Sequence, residues 1–358
     1  MRLRLGTYPT PLASKPYGLF DSRRKTLAYI EELSRELLGL KPRLGNYRNK
    51  RGEYRIYEYD KGIYIVDVKS VKGYIAGEED LLVSNFWALL LGLLRDINAG
   101  DFVDIGSTAR TLRTSGDINA GSAYLVYGTS TTPEGFTDNA LKSYSGSIST
   151  SISISYLSDR TRIVLSGVVP ATAYELGIYQ SLYDLSGAGY THMLARKVGS
   201  WSANQAVSYY IDFLQPWVRG VGDYMYGIYR NADVPVARID GTSFTARTSG
   251  TSQSGSAYLV ASSDLVSWDP TLIAISNAFS LNNYYADILN TRYMRATIIH
   301  GLYSPSQDIQ VNTIGLYFPV YDTTGASQTV CILVQPLSSP ITFYASRNNL
   351  VVLRIIAF

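Results

Sequence analysis

The sequence is short of the side chains that carry most enzyme chemistry. Its 358 residues include one cysteine, Cys331, and two histidines, His192 and His300. A single cysteine excludes an internal disulfide framework, and its apolar, strand-like surroundings read as a buried inert thiol rather than a nucleophile. The three residues together are too few for a His/Cys zinc site. The chain also lacks a G-x-S-x-G elbow, a phosphate-cradling Walker loop, a dinucleotide fingerprint and a D-x-[DN]-x-[DN]-G calcium loop. No cofactor or metal is expected. Long hydrophobic runs are missing too. The longest, Leu81 to Leu94, spans 14 residues, where about 20 are needed to cross a bilayer. Met1-Arg-Leu-Arg-Leu-Gly6 has no apolar core segment, so the chain reads as having neither a signal peptide nor a membrane span.

What is present is a repetition. Gly121-Ser-Ala-Tyr-Leu-Val126 recurs letter for letter as Gly255-Ser-Ala-Tyr-Leu-Val260, 134 positions later. Aligned without a gap, 105–126 and 239–260 share 13 of 22 residues, including Arg-Thr-Ser-Gly at Arg113 and at Arg247. A loop longer by four residues in the second copy then moves the offset to 138. At that offset Gly177-Ile-Tyr179 meets Gly315-Leu-Tyr317, and Tyr183-Asp-Leu-Ser-Gly-Ala188 meets Tyr321-Asp-Thr-Thr-Gly-Ala326. This is a tandem duplication, with units at 104–213 and 238–358.

Each unit reads as all-β. Short apolar or alternating runs (Ala123 to Tyr127, Ile163 to Leu165, Val330 to Val334) are bounded by Gly, Ser, Thr, Asn and Asp. Ser147 to Tyr156 alternates strictly, with serine at the odd positions and Ile148, Thr150, Ile152, Ile154 and Tyr156 at the even ones. That pattern suits a strand with one buried and one wet face. Strands at this spacing predict a β-sandwich of jelly-roll type, with a barrel as the second choice. The shared Tyr-Asp-x-Ser/Thr-Gly-Ala predicts a hairpin turn whose glycine takes a positive φ. The 30 tyrosines, against 10 phenylalanines, suit half-buried strand positions and subunit interfaces alike.

The expected organisation is mainly β: two tandem duplicated sandwich domains, an N-terminal α/β region, and a short helix before each sandwich. In order, 1–20 reads as an extended proline-bearing arm, and 21–103 as helix, hairpin and helix. The first sandwich is 104–213, a linker helix occupies 214–237, and the second sandwich is 238–358. Asp21 or Ser22 would cap a helix running to about Leu38, and Tyr54 to Val71 would form a hairpin turning at Asp60-Lys-Gly62. Glu78-Glu-Asp80 would open an apolar helix ending near Arg95, its acids placed at the positive end of the dipole, with Asn98-Ala-Gly100 as its stop. Pro216 to Arg230 would be a second helix, weakened by Gly220, Gly222 and Gly227. Trp87 and Trp217 read as packing anchors.

Charge is unevenly spread. Residues 1–60 hold 13 Lys/Arg against 7 Asp/Glu, while the whole chain carries +3. Lys41, Arg43, Arg48, Lys50, Arg51 and Arg55, interleaved with Tyr47 and Tyr54, form a candidate contact for nucleic acid phosphate or for an acidic neighbouring subunit. Carboxylates offer the one catalytic alternative, since glycoside cleavage needs only two of them across a groove. Asp184 and Asp322 are shared by both units, but inside the turn motif. Glu134, Asp138 and Glu175 have no carboxylate at the matching positions of the second unit. The expectation is a protein that is not an enzyme.

Two phrases carry a resemblance. Tyr124 to Leu141, reading Tyr-Leu-Val-Tyr-Gly-Thr-Ser-Thr-Thr-Pro-Glu-Gly-Phe-Thr-Asp-Asn-Ala-Leu, resembles the "G-T-G-T-T-x-P-x-x-x-D-x-x-L" stretch of tail-fibre, baseplate and other virion β-domains of tailed phages and archaeal viruses. Glu175 with Gly177-Ile-Tyr179 resembles the "E-x-G-L-Y" stretch downstream in the same proteins. The second unit departs from it, with Thr313 in place of the acid and Ser262-Ser-Asp-Leu265 in place of the first stretch. The resemblance implies a viral structural protein of capsid, turret or tail. It would be assembled in the host cytoplasm and would act through contacts with copies of itself and other virion proteins, with no catalytic residue carried over. The alternative is a carbohydrate-binding or host-adhesin module on a virion or cell surface, using exposed tyrosines to stack on glycans.

Overall fold

The computed structural model describes residues 46–48, 54–60, 63–68, 72–75, 78–96, 98–113, 116–291, 294–345 and 348–357, all within one compact unit, Leu44–Phe358. The arm expected at 1–20 and the helix expected at 21–38 lie outside them. The protein is mainly β. The first strands are β1 (Asn46–Arg48), β2 (Tyr54–Asp60), β3 (Ile63–Val68), β4 (Lys72–Ile75) and β5 (Glu78–Leu82), followed by helix α1 (Ser84–Arg95). The first half continues with β6 (Ala99–Val103), β7 (Ala109–Leu112), β8 (Gly116–Ala120), β9 (Tyr124–Gly128) and β10 (Tyr144–Ile148). It ends with β11 (Ser151–Leu157), β12 (Arg160–Val168), β13 (Ala173–Tyr183), β14 (Gly189–Trp201) and β15 (Ala206–Leu214). Helix α2 (Arg219–Arg230) opens the second half, with β16 (Val234–Ala237), β17 (Ser243–Ala246), β18 (Gly250–Ser254), β19 (Tyr258–Ser262) and β20 (Phe279–Ser280). Then come β21 (Asn282–Thr291), β22 (Met294–Tyr303), β23 (Ile309–Tyr321), β24 (Ser327–Phe343) and β25 (Asn349–Ala357).

The element orders of the two halves match, and so do their pairings. β13 pairs with β9 in the register Gly177↔Val126 and Tyr179↔Tyr124, while β23 pairs with β19 as Gly315↔Val260 and Tyr317↔Tyr258. β11, β12 and β15 are neighbours in one half, as β21, β22 and β25 are in the other. Single hydrogen bonds recur as well: Val83 N–H to Leu194 O and Val218 N–H to Ile332 O, both 3.1 Å, and Ser84 N–H to Phe136 O and Arg219 N–H to Pro270 O, both 2.7 Å. The turn glycines Gly187 and Gly325 take φ of 80° and 88°, the left-handed conformation expected of the shared motif.

The halves meet on a local dyad. β8 and β18 pair antiparallel with Ile118 opposite Ser252, its own equivalent, and with Gly116 opposite Ser254 and Ala120 opposite Gly250. The helices are exchanged across it. Ala123 N–H donates to Tyr229 O of α2, and Ala257 N–H donates to Leu94 O of α1, each at 2.7 Å. One apolar core runs through both halves and both helices. Strands from 46–82 add to the sheets of both halves: β4 pairs with β15, β5 with β14, and β3 runs parallel to β25 from Ile63↔Leu350 to Val68↔Ile355. β2 and β3 form the hairpin expected over 54–71.

Several local expectations need correction. Glu78-Glu-Asp80 lies in strand β5, not at a helix entrance. α1 begins at Ser84, behind Val83, with no side-chain cap and no acid in its first turn, so its first amide donors are satisfied by Leu194 and Phe136 carbonyls instead. Asp96, at φ 48°, closes α1 before Asn98 is reached. α2 starts at Arg219 rather than Pro216. The alternating run Ser147 to Tyr156 is two strands, β10 on β9 and β11 on β12. It breaks at Thr150, whose hydroxyl donates to Ile148 O (2.7 Å) and accepts from Leu125 N–H (2.8 Å), a side chain standing in for the ladder. The glycines counted against α2 serve close approach: a Cβ on Gly220 would lie 2.2 Å from Cys331 O, and one on Gly227 would lie 2.3 Å from Thr248 Oγ1.

Candidate functional site

The Tyr124–Leu141 stretch runs from β9 into the 129–143 loop between β9 and β10, which is fastened from beneath by two buried charges. Glu175 on β13 and Arg196 on the adjoining β14 are fully buried. Glu175 accepts amide protons from Lys142 (3.0 Å) and Ser143 (2.6 Å) at the end of the loop. Arg196 binds Glu175 through Nε at 2.9 Å and Asp138 through Nη1 at 2.8 Å. Its remaining donors reach Thr132 O (2.8 Å) and Pro133 O (3.1 Å). One guanidinium thus ties two carboxylates and two carbonyls into a single knot. Tyr179, the last residue of the second phrase, accepts Leu141 N–H at 2.8 Å. Burial pushes its phenol up to about 12, so it stays a neutral hydrogen-bonding group. Gly128 has no room for a side chain, since a Cβ there would meet Ser143 O at 2.2 Å and Glu175 Oε1 at 2.6 Å.

The three carboxylates present in one half only are thereby placed. Burial would raise Asp138, but Lys142, the Gly135 amide and Arg196 outweigh it and hold the carboxyl below its ordinary range. Glu134 accepts Val198 N–H at 2.6 Å. Asp138 and Glu175 share one arginine on the underside of a loop. Both carboxylates are thereby engaged in holding the loop. The shared Asp184 and Asp322 sit in their turns, accepting from the Ser186 and Ala188 amides and from the Thr324 and Ala326 amides.

Other charged groups cluster at the joints. Asp212, fully buried on β15, is gripped by Arg160 (2.7 Å) and Arg162 (2.6 Å) of β12, and Arg162 lies over the Tyr210 ring at 4.4 Å. Asp223 of α2 binds Tyr156 of β11 and Arg219 at 3.1 Å. Burial raises its carboxyl despite both partners. His192 is buried edge-on to Phe102, with ring centroids 4.7 Å apart. Burial drives its pKa down to about 4, and the Tyr190 carbonyl and Asp104 only partly offset this. Cys331 is buried in β24, where burial pushes the thiol up to about 12. Both groups are therefore neutral at pH 7.

The described residues do not bear on the six basic residues proposed from sequence. The Arg48 and Arg55 backbones pair across β1 and β2. All six side chains, and Lys41, Arg43, Lys50 and Arg51 altogether, lie outside the described residues. Arg196, Asp212 and Asp223 were not singled out from sequence. For Arg196 a signal existed: the position aligned with it at offset 138 is Val334, just as Thr313 is aligned with Glu175, so both charges change together. Among the described residues no group of three or more His, Cys, Asp or Glu is gathered for a metal, and no helix is long and apolar enough to cross a membrane. Compared with known proteins, the chain matches no family model and no curated protein significantly.

Proposed function

We propose that the protein is a structural subunit of a virion, in capsid, turret or tail, built from a duplicated β-sandwich of jelly-roll type and working through contacts with copies of itself and other virion proteins. The observation that carries this reading is the fate of the phrase that resembles those virion β-domains. Each polar residue that a chemist would suspect there, Asp138, Glu175 and Tyr179, is spent on holding the 129–143 loop in one shape. A loop whose backbone is fixed from beneath by buried ionic contacts offers a rigid outer surface, which assembly requires. The internal dyad supports this, since β8 pairs with its equivalent β18 and each helix bonds to the opposite half. The basic segment 41–55 would meet nucleic acid or an acidic neighbour inside the particle.

The glycan-binding alternative draws on Tyr144, which is 56% exposed and stacked on Tyr179 at 8° between planes, a platform suited to a sugar face. Sedimentation and electron microscopy of the purified chain, with antibody labelling of virus particles from the source, test the main reading. Defined oligomers and labelled particles are expected. A chain that stays monomeric and labels no particle would overturn it, and glycan-array binding abolished by Tyr144→Ala would put the alternative in its place.

A further inference from the structure

The geometry points to the free edge of β11 as a seam to a second copy of this chain, paired antiparallel about Ile154; this deepens the assembly reading and rests on it. β11 ends its sheet: its one strand neighbour among the described residues is β12, matched residue for residue from Ser151↔Ser166 to Leu157↔Arg160 without a bulge. Monomeric sheets blunt such an edge with charge, proline or a bulge, because unpaired amides and carbonyls invite another strand. Ser151-Ile-Ser-Ile-Ser-Tyr-Leu157 contains none of these. Its counterpart β21, which ends the six-stranded sheet, has Asp287 and a register shift between Ala286 and Leu289. One half guards its edge and the other leaves it open.

The open edge is also held ready. Tyr156 is fixed to Asp223 of α2, and Arg219 lies over its ring at 4.7 Å. Ile154 reaches to the helix face at Gly222. Even so, Tyr156 and Leu157 remain 37% and 39% exposed. A strand held in place by side-chain contacts loses little further freedom on pairing.

The sequence of β11 matches itself. In an antiparallel pair centred on Ile154, all seven residues find a partner: Ile154 meets Ile154 of the second copy, Ser153 meets Ser155, Ile152 meets Tyr156, and Ser151 meets Leu157. Residues two apart share a face, so the serines stay on the wet side and Ile152, Ile154 and Tyr156 on the apolar side. Aromatic against β-branched and hydroxyl against hydroxyl are favourable cross-strand pairs. The second kind already occurs on this sheet, where Ser166 and Ser208 hydroxyls lie 3.0 Å apart. With no charge in the strand, nothing repels an identical copy. The chain makes such a junction once internally, at β8 and β18 about Ile118 and Ser252.

The test uses the full chain. Ser153→Cys and Ser155→Cys proteins are oxidised separately and as a mixture, Cys331 being buried and silent. A disulfide dimer is expected in the mixture and not in either protein alone, because position 153 faces 155 across the seam. In parallel, S153K/S155K places four lysines around the junction and is expected to raise the apparent dissociation constant measured by sedimentation by about tenfold or more. Melting temperature and circular dichroism should remain those of the parent. Normal assembly of the lysine variant with no mixed cross-link would overturn the seam and leave the assembly reading standing. A parent chain that sediments as a monomer at every concentration would overturn both.

Discussion

The two halves hold the same loop by different chemistry. In the first, Gly128, Glu175 and Arg196 form a buried ionic knot beneath residues 129–143. At the same three positions the second half has Ser262, Thr313 and Val334. There Thr313 Oγ1 donates to Asp264 O (2.7 Å) and accepts Val266 N–H (3.0 Å), and Ser262 Oγ donates to Ser276 O at 2.5 Å. The tyrosine contact is common to both: Tyr317 accepts Ile275 N–H at 3.1 Å, as Tyr179 accepts that of Leu141. A buried charge cannot be exchanged alone, because its partner would be stranded in a medium that solvates it poorly. The three positions therefore differ as a set. The fold asks only that the loop's amides and carbonyls be satisfied, and either solution meets that demand.

The largest expected effect breaks the ionic knot on one side. Arg196→Met leaves Glu175 buried without its counter-charge and should cost about 3–5 kcal/mol of unfolding free energy. The double variant Glu175→Thr, Arg196→Val removes both charges together, leaves Gly128 its close approach to Ser143 O, and should recover part of that loss. Urea unfolding measures both. A single variant within about 1 kcal/mol of the parent would refute the account of the knot.

Next is His192, whose equivalent is Val330. The folded protein keeps the imidazole neutral, with its pKa lowered from 6.5 to about 4, while the unfolded chain protonates near 6.5. The unfolded state thus binds more protons between those values. Stability is complete above about pH 6.5 and falls as the pH drops towards 4, by up to about 3 kcal/mol. Carboxylates held low, such as Asp104 and Asp138, contribute above their ordinary value of 3.8, so their loss comes later, below the histidine window. In His192→Val the decline between pH 6.5 and 4 should flatten. Melting curves across that range decide it, and an unchanged slope would remove His192 from the explanation.

A smaller effect separates the helices. α1 has Asn85 where α2 has Gly220, and Asn85 uses its amide to grip Val103, donating to its carbonyl at 2.8 Å and accepting its N–H at 3.1 Å. In α2 the same position lies against β24 backbone. Gly220→Ala should destabilise by about 1–3 kcal/mol through overpacking, although alanine is by about 1 kcal/mol the better helix residue. A stabilised variant in a thermal melt would reverse this reading. The smallest effect should come from the feature the halves share: Asp184→Ala and Asp322→Ala each remove a turn acceptor, and the two should lower the melting temperature by similar, small amounts.

How much was legible follows from the range of each interaction. The hairpin glycines, the β2–β3 hairpin and the apolar alternation were readable because each depends on neighbours a few residues away. Glu78-Glu-Asp80 misled because acids before an apolar run suit a helix entrance locally, whereas the strand they occupy pairs on one side with the adjoining β4 and on the other with distant β14. Ser147 to Tyr156 alternates without interruption, so only Thr150's bond to β9 reveals the break. The glycines of α2 looked like flaws because the surfaces they fit against, at Cys331 and Thr248, lie far along the chain.

The sequence by itself determined the repetition, its changing offset and the mainly β character, since identity of residues and period-two patterning are written along one strand at a time. The tertiary structure alone decided which edges join: β8 to β18 on the dyad, β3 to β25, and each helix across to the opposite half. Strand edges offer much the same backbone groups wherever they occur, so the choice among them rests on how the whole core closes, a property no single segment contains.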